Sequence, residues 1–297
     1  MKTNKTYTAT SIAKSYTKWD DYTMLVKHKL SATVVLTSIL GYLIMSGSSV
    51  SIYDLLLLSV GGFLVTGAAN TINEVLEKDY DALMKRTSNR PLAAGRMAIS
   101  EAVMFAGFSC LIGVTLLSIF NPITGVLGMA SFLLYSFIYT PLKRIGSISV
   151  AVGAIPGALP LLIGCTAFEG RISTLAICLF AIQFLWQFPH FLSIGYLGFN
   201  DYKKAGYKLI PEVDGQIDSK IGLHAFIYAC LILLLTVVMF TTGLTSGVTL
   251  VINSILSIVF ATYSYKFYKT FDQKSARKLM FSSFVFMPFY LLTCLFF

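Results

Sequence analysis

Charge is what this chain most conspicuously lacks. Only 12% of its 297 residues are Asp, Glu, Lys or Arg, about half the share found in soluble domains, which excludes a fold with a water-facing charged surface all round. Acidic residues are also missing from where a coupled transporter keeps them. Such proteins bind substrate and ion near the bilayer midplane, and no Asp or Glu lies deep inside any apolar span here. Cysteine pairs are absent too. Cys110, Cys165, Cys178, Cys230 and Cys294 all fall within apolar stretches and none has C-x-x-C spacing, so neither zinc nor disulfides are indicated and the thiols read as packing residues. No Arg occurs in the first 80 residues, which argues against a mitochondrial transit peptide. Residues 2–29 are polar and too long for the n-region of a cleavable signal.

What remains is apolar: 56% of the residues are hydrophobic and the mean hydropathy is +0.73. Uncharged runs occupy 30–53, 55–73, 102–142, 145–168, 172–200, 221–265 and 279–297, and a membrane span needs about 20 residues. Two runs are of double length and break at Asn121-Pro122 and at the Gly- and Thr-rich stretch 241–247, both turn signals. The expectation is therefore an all-α membrane protein with nine transmembrane helices. Residues 1–29 read as a mobile or surface-lying arm, with Trp19, Tyr22 and Leu25 as candidate interfacial residues, and 30–297 as one domain.

Basic residues set the orientation. The N-terminal segment carries six Lys, and the connections after spans two, four, six and eight carry five, two, four and five Lys or Arg, leaving only Arg171 on the other side. The positive-inside rule makes the N-terminus and these loops cytoplasmic. The net charge of +9 thus reflects topology and anionic lipid and gives no reason to invoke nucleic acid.

One stretch, 70–91, gathers four carboxylates and four basic residues directly after the apolar run 55–73. On a continuous helix each residue turns about 100° and rises ~1.5 Å. With Asn73 at zero, Glu77 falls at about 40°, Asn70 at about 60°, Asp81 at about 80° and Glu74 at about 100°, while Asp79 points away at about 240°. Five oxygen-bearing side chains share one quadrant. Carboxylates at a helix C-terminus oppose the macrodipole, so a cation belongs there, and Mg²⁺ favours one or two carboxylates plus substrate phosphates. Asn73, Glu77 and Asp81 are the expected ligands of Mg²⁺ bridging a diphosphate. Arg86 and Arg90 suit bidentate phosphate contacts, and Lys143 and Arg144 after span four are either interfacial anchors or a second clamp.

Two later stretches carry further chemistry. Span five contains Gly153-Ala-Ile-Pro-Gly-Ala-Leu-Pro160 and Gly164, which implies kinks and close helix approach, made for packing or for a bulky ligand. Span six holds Trp186-Gln-Phe-Pro-His-Phe191, and His190 is the one ionisable side chain placed well inside a span, with Trp186 one turn earlier on the same face. Acid and base then recur past the helix end, in Asn200-Asp-Tyr-Lys-Lys-Ala-Gly-Tyr-Lys-Leu-Ile-Pro211.

Asn73-x-x-x-Glu77-x-x-x-Asp81 followed by Arg86-Thr-Ser-Asn-Arg-Pro91 resembles the first signature of the UbiA superfamily of intramembrane prenyltransferases. The stretches 153–160, 186–191 and 201–211 are similar to those of its heme-farnesylating branch, and the likeness runs through essentially the whole chain after residue 20. The resemblance implies a UbiA-like helical bundle with a central cavity open to the cytoplasmic side of a bacterial inner membrane. It implies farnesyl diphosphate as donor, heme b as acceptor, Mg²⁺ as cofactor, heme O as product and a heme A synthase downstream. Asn73, Glu77, Asp81, Arg86, Arg90 and Asp201 would be catalytic. Asn70, Lys143, Arg144, Trp186, His190, Tyr202, Lys203 and Lys204 would bind substrate, with His190 as an axial ligand to heme iron. The chain departs from the pattern at Ala205, where a second Asp is usual, and at Tyr207-Lys-Leu-Ile210. A relative of the same fold with an aromatic acid as acceptor, for quinone synthesis, is the alternative enzyme reading. A secondary transporter is the alternative outside catalysis.

Overall fold

The structure is a computed structural model and describes residues 16–295; the expected surface arm therefore lies in part, at 1–15, outside the described residues. Eleven helices follow one another: α1 (Lys18–Leu25), α2 (His28–Ser46), α3 (Ile52–Asp81), α4 (Ile99–Ser118), α5 (Pro122–Leu142), α6 (Ile148–Glu169), α7 (Thr174–Leu197), α8 (Phe199–Lys204), α9 (Lys220–Thr241), α10 (Gly247–Thr270) and α11 (Gln273–Leu295). Among the described residues nine of these are long and apolar enough to cross a bilayer, all but α1 and α8. Among the described residues the departure from an all-helical fold is a two-rung antiparallel ladder, Glu212–Val213 against Gln216–Ile217, turned by Asp214 and Gly215 at positive φ.

Local chemistry sets the helix starts. Ser51, Asn121, Ser173 and Ser246 each accept a hydrogen bond from the backbone N–H three residues on, satisfying donors that the helix itself leaves open. Helix α3 has 30 residues, about 45 Å at 1.5 Å each, against ~30 Å of hydrocarbon. It is thus longer than the slab is thick, and the turns that hold the carboxylates are its last ones, after the apolar run.

Small residues hold the bundle together. A Cβ on Gly164 of α6 would sit 1.8 Å from the Ser38 carbonyl of α2, and one on Gly41 would sit 2.3 Å from the Leu161 carbonyl, so the two backbones touch where both lack side chains. The Gly and Pro of the fifth span thus serve close packing. Helix α6 runs unbroken through Pro156 and Pro160, and the space at Gly153 and Gly157 is filled by the Tyr139 ring and the Gln187 amide.

The end of the N-terminal arm is structured as well. Helix α1 opens on a capping box between Thr17 and Asp20. Leu25 is fully buried against Leu92, Met97 and Ala102, while Trp19 stays exposed. Arg96 pairs with Asp21 at 2.8 Å and Lys18 with Glu101 at 2.9 Å, so the loop after α3 and the start of α4 grip α1 from either side.

Candidate active site

Helix α3 continues to Asp81, and the quadrant computed from its sequence is the face it buries. Asn70, Asn73, Glu74, Glu77 and Asp81 are all buried, whereas Asp79 is 82% exposed as a side chain, with Lys78 3.8 Å away. Three buried carboxylates at the negative end of a helix need positive partners; two basic side chains bind them directly and a third, Lys27, reaches the amide beside them, each from a different segment. Arg90 Nη1 meets Asp81 Oδ2 at 2.7 Å, and its Nε lies 3.5 Å from Glu74 Oε1. Lys143, just past α5, reaches Glu77 Oε1 at 2.9 Å. Lys27, between α1 and α2, donates to Asn73 Oδ1 at 2.8 Å. Asn73 in turn donates to Glu77 Oε2 at 2.9 Å and to Thr140 Oγ at 3.1 Å.

The balance, three negative against three positive, leaves acceptors to spare. Both Glu74 oxygens and Asp81 Oδ1 are buried without a hydrogen-bond partner. Buried polar atoms are rarely left so, and an unpaired carboxylate oxygen is a ready seat for a cation. Burial first, and then the neighbouring Arg90, pushes the Lys27 ammonium well below the usual lysine range, to about 7. Burial also opposes the charge on Arg90, yet Asp81 and Glu74 hold its pKa above the ordinary arginine value. Tyr207 is pushed up by burial and by the Glu77 and Asp81 carboxylates.

These groups wall a cavity of about 370 Å³ whose lining includes Lys27, Asn73, Glu77, Asp81, Arg86 and Arg90, with Tyr135, Tyr139, Lys143, Tyr202 and Tyr207 completing it. Ligand sites commonly fall between ~300 and ~1,000 Å³. A π-helical turn, Leu134–Tyr139, aims Tyr135 and Tyr139 at this space, their rings 5.4 Å apart. Its cause is in the sequence. Pro141 has no N–H and its ring crowds the preceding turn, and the Thr140 hydroxyl bonds the Tyr135 carbonyl at 2.9 Å. Lys143 Nζ lies 4.8 Å from the Tyr139 ring centre. A wider groove of about 530 Å³ adjoins the cavity behind Tyr202, Tyr207 and Leu209, but apart from those shared walls it is built from 146–147 and 199–215.

The remaining expected site residues scatter. Arg86 donates to the Tyr202 hydroxyl at 3.3 Å, on the cavity wall. Asn70 sits deeper, donating to Ser31 Oγ at 3.2 Å and to the Val26 carbonyl at 3.3 Å. Arg144 donates to Tyr80 at 2.7 Å and stacks over its ring. Lys203 is engaged by Glu212 and the Gly215 carbonyl of the small hairpin, and Asp201 and Lys204 are exposed on α8, outside the cavity lining. Trp186 and His190 face α11. Trp186 Nε1 donates to the Ser283 carbonyl at 3.0 Å, and His190 Nδ1 is 2.7 Å from Ser283 Oγ.

Sequence reasoning did not single out Lys27, Tyr135, Tyr139, Thr140 or Tyr207 as site residues. Lys27 looked like one more topogenic charge. The tyrosine pair at i and i+4 ahead of Thr-Pro was the visible signal for Tyr135, Tyr139 and Thr140.

Among the described residues no group of three or more His, Cys, Asp or Glu could hold a metal by itself. The donor set suits a cation shared with an anionic ligand: Asn73, Glu77 and Asp81 front the cavity, and Asp81 Oδ1 is unpartnered.

Comparison with known proteins adds three findings. The UbiA prenyltransferase family matches residues 34–287. Protoheme IX farnesyltransferase of Flavobacterium psychrophilum is 39% identical over 269 residues, covering 88% of this chain and 89% of that one. Among solved structures, a digeranylgeranylglyceryl phosphate synthase superposes with a TM-score of 0.79 at 20% identity over 94% of this chain and 97% of its own. A UbiA homolog from Archaeoglobus fulgidus bound to GPP and Mg²⁺ does so with a TM-score of 0.69 at 13% identity, over 92% of this chain and 99% of its own.

Proposed function

The chain belongs to the UbiA prenyltransferase family, and on that premise we propose that it transfers the farnesyl group of farnesyl diphosphate to a vinyl group of protoheme IX, giving heme O. It is an integral membrane enzyme, a prenyltransferase. We place it in a bacterial inner membrane with its N-terminus and active cavity on the cytoplasmic side, because the basic loops share one end of the bundle.

The observation that carries the reading is the wall of buried carboxylates on α3 faced by Lys27, Arg90 and Lys143 across one cavity. A diphosphate entering that cavity brings its own negative charge. Lys27, Lys143 and Arg86 are the cations with donors to turn toward it, while Arg90 keeps Asp81 in place through its 2.7 Å bond. Asn73, Glu77 and Asp81 would hold Mg²⁺, whose chemistry there is to take up the charge of the departing diphosphate.

The step itself asks three things of the protein. As the allylic C–O bond breaks, its electron pair leaves with diphosphate, and fixed cations aimed at that growing charge lower the barrier. The Tyr135 and Tyr139 rings offer π faces to the farnesyl cation. A heme vinyl group then adds to the allylic carbon, water supplies the hydroxyl at the carbon left positive, and one proton is released. Buried walls keep water off the farnesyl cation until the vinyl group has reacted.

The test is direct. Purified protein is incubated with heme b, farnesyl diphosphate and Mg²⁺, and the porphyrin product is identified by mass. A hydroxyethylfarnesyl heme is expected; free farnesol with unchanged heme would overturn the assignment of the acceptor.

A further inference from the structure

The geometry points to Ser283 as the positioning residue that fixes His190 in the tautomer able to bind heme iron through Nε2. The inference rests on heme as the acceptor, and it begins with a hydrogen-bond relay. Ser283 Oγ donates to the Met280 carbonyl at 2.6 Å. With its proton so committed, Ser283 Oγ is left to accept from the ring nitrogen 2.7 Å away. His190 Nδ1 must therefore carry the hydrogen, and in a neutral ring Nε2 then holds the lone pair.

That nitrogen is open. Nε2 has no protein partner among the described residues, and it is not among the buried polar atoms lacking one, so the 8% of His190 that is exposed includes it. The ring is held on several sides. Trp186 stacks on it at 4.9 Å and 13°, and Phe284 meets it edge-on at 4.9 Å and 79°. Trp186 is itself pinned by the carbonyl of the same Ser283. Phe284 is 53% exposed, so one apolar side chain separates the His190 ring from the open surface, where a flat, apolar macrocycle could lie.

Charge and polarity narrow the ligand. A propionate would need a donor, and Nε2 in this tautomer is an acceptor. A metal centre needs a lone pair on one nitrogen and a hydrogen bond on the other, which is how ligating histidines are usually oriented. His190 precedes the α7 terminus Leu197 by seven residues, about 10 Å along the axis, and beyond that terminus Tyr202 joins the cavity wall. Ligation there would put the heme deeper in the bundle than the cavity wall at Tyr202.

The experiment is heme titration into the full chain in lipid nanodiscs, read by resonance Raman for the iron–imidazole stretch. The wild type should show that band. His190→Ala and His190→Gln should lose it and regain an imidazole signal when free imidazole is added. Ser283→Ala should keep a displaced, weakened band and bind heme about 10- to 100-fold less tightly, and Ser283→Thr should restore both. Affinity for farnesyl diphosphate, measured alongside, reports that each variant is folded. If both His190 variants misfold, the two Ser283 variants decide: a band and affinity unchanged in Ser283→Ala overturn the relay. An iron–imidazole band that survives in folded His190→Ala overturns the ligand. A wild type that farnesylates heme without any such band overturns this inference and leaves the proposed function standing, whereas a wild type that binds no heme removes both.

Discussion

Lys27 Nζ lies 2.8 Å from Asn73 Oδ1, so a side chain from the N-terminal segment completes a polar cluster whose acids all belong to α3. The backbone of Lys27 is left-handed, at φ 48° and ψ 54°, a conformation that costs a residue with a Cβ about 1 kcal/mol or more. It is held by α1 packing on one side and by the cluster on the other. Charge-assisted hydrogen bonds are worth about 1.5–3 kcal/mol, so Lys27→Met is expected to raise KM for farnesyl diphosphate by roughly 10- to 100-fold. Lys27→Arg should recover part of that loss. Steady-state kinetics with heme b held constant makes the measurement, and an unaltered KM in Lys27→Met would remove Lys27 from the site.

Asn73 and Asp81 carry the sharpest expectation. Asn73→Ala and Asp81→Ala should each cut turnover by about 10²-fold or more, while the protein remains inserted and monodisperse in detergent. Normal product formation by either variant with Mg²⁺ present would refute the metal assignment.

Metal removal should act on one substrate only. Because Asn73, Glu77 and Asp81 line the cavity and His190 faces α11, chelation is expected to weaken farnesyl diphosphate binding and leave heme binding unchanged. Mg²⁺ should restore turnover. Equilibrium binding of each substrate with and without chelator separates the outcomes, and an equal loss for both would contradict two distinct subsites.

Gly164 tests the packing. A Cβ there would stand 1.8 Å from the Ser38 carbonyl, and overpacking of this kind typically costs ~1–3 kcal/mol. Gly164→Ala should therefore unfold at a lower temperature in detergent, by several degrees. An unchanged Tm would mean that α2 and α6 can part more easily than their contact suggests.

Much of the fold was legible because it follows from repetition. Spans are long apolar runs, and the acidic face of α3 follows from a 3.6-residue period that the helix keeps through Asp81. The placement of side chains between segments was less legible. Lys27 and Lys203 are alike in sequence, yet one is turned into the cluster by a left-handed residue and the other is drawn to Glu212 by a short hairpin. Trp186 and His190 share a helical face as their spacing implied, but their partner Ser283 is about 90 residues away, and no local pattern names it. Leu25 read as an interfacial residue, but it is fully buried because the loop after α3 folds back over α1.

The length of α3 has a consequence for where charge is separated. On the proposed function its final turns would rise above the oily slab like a plinth, so that pyrophosphate would be cleaved at headgroup level and could drift off into water. The isoprenoid chain would never have to leave the oil. The nature of the solvent would thus change across the very bond being broken: ionic products on one side, a greasy electrophile on the other, and little tendency for the two to recombine.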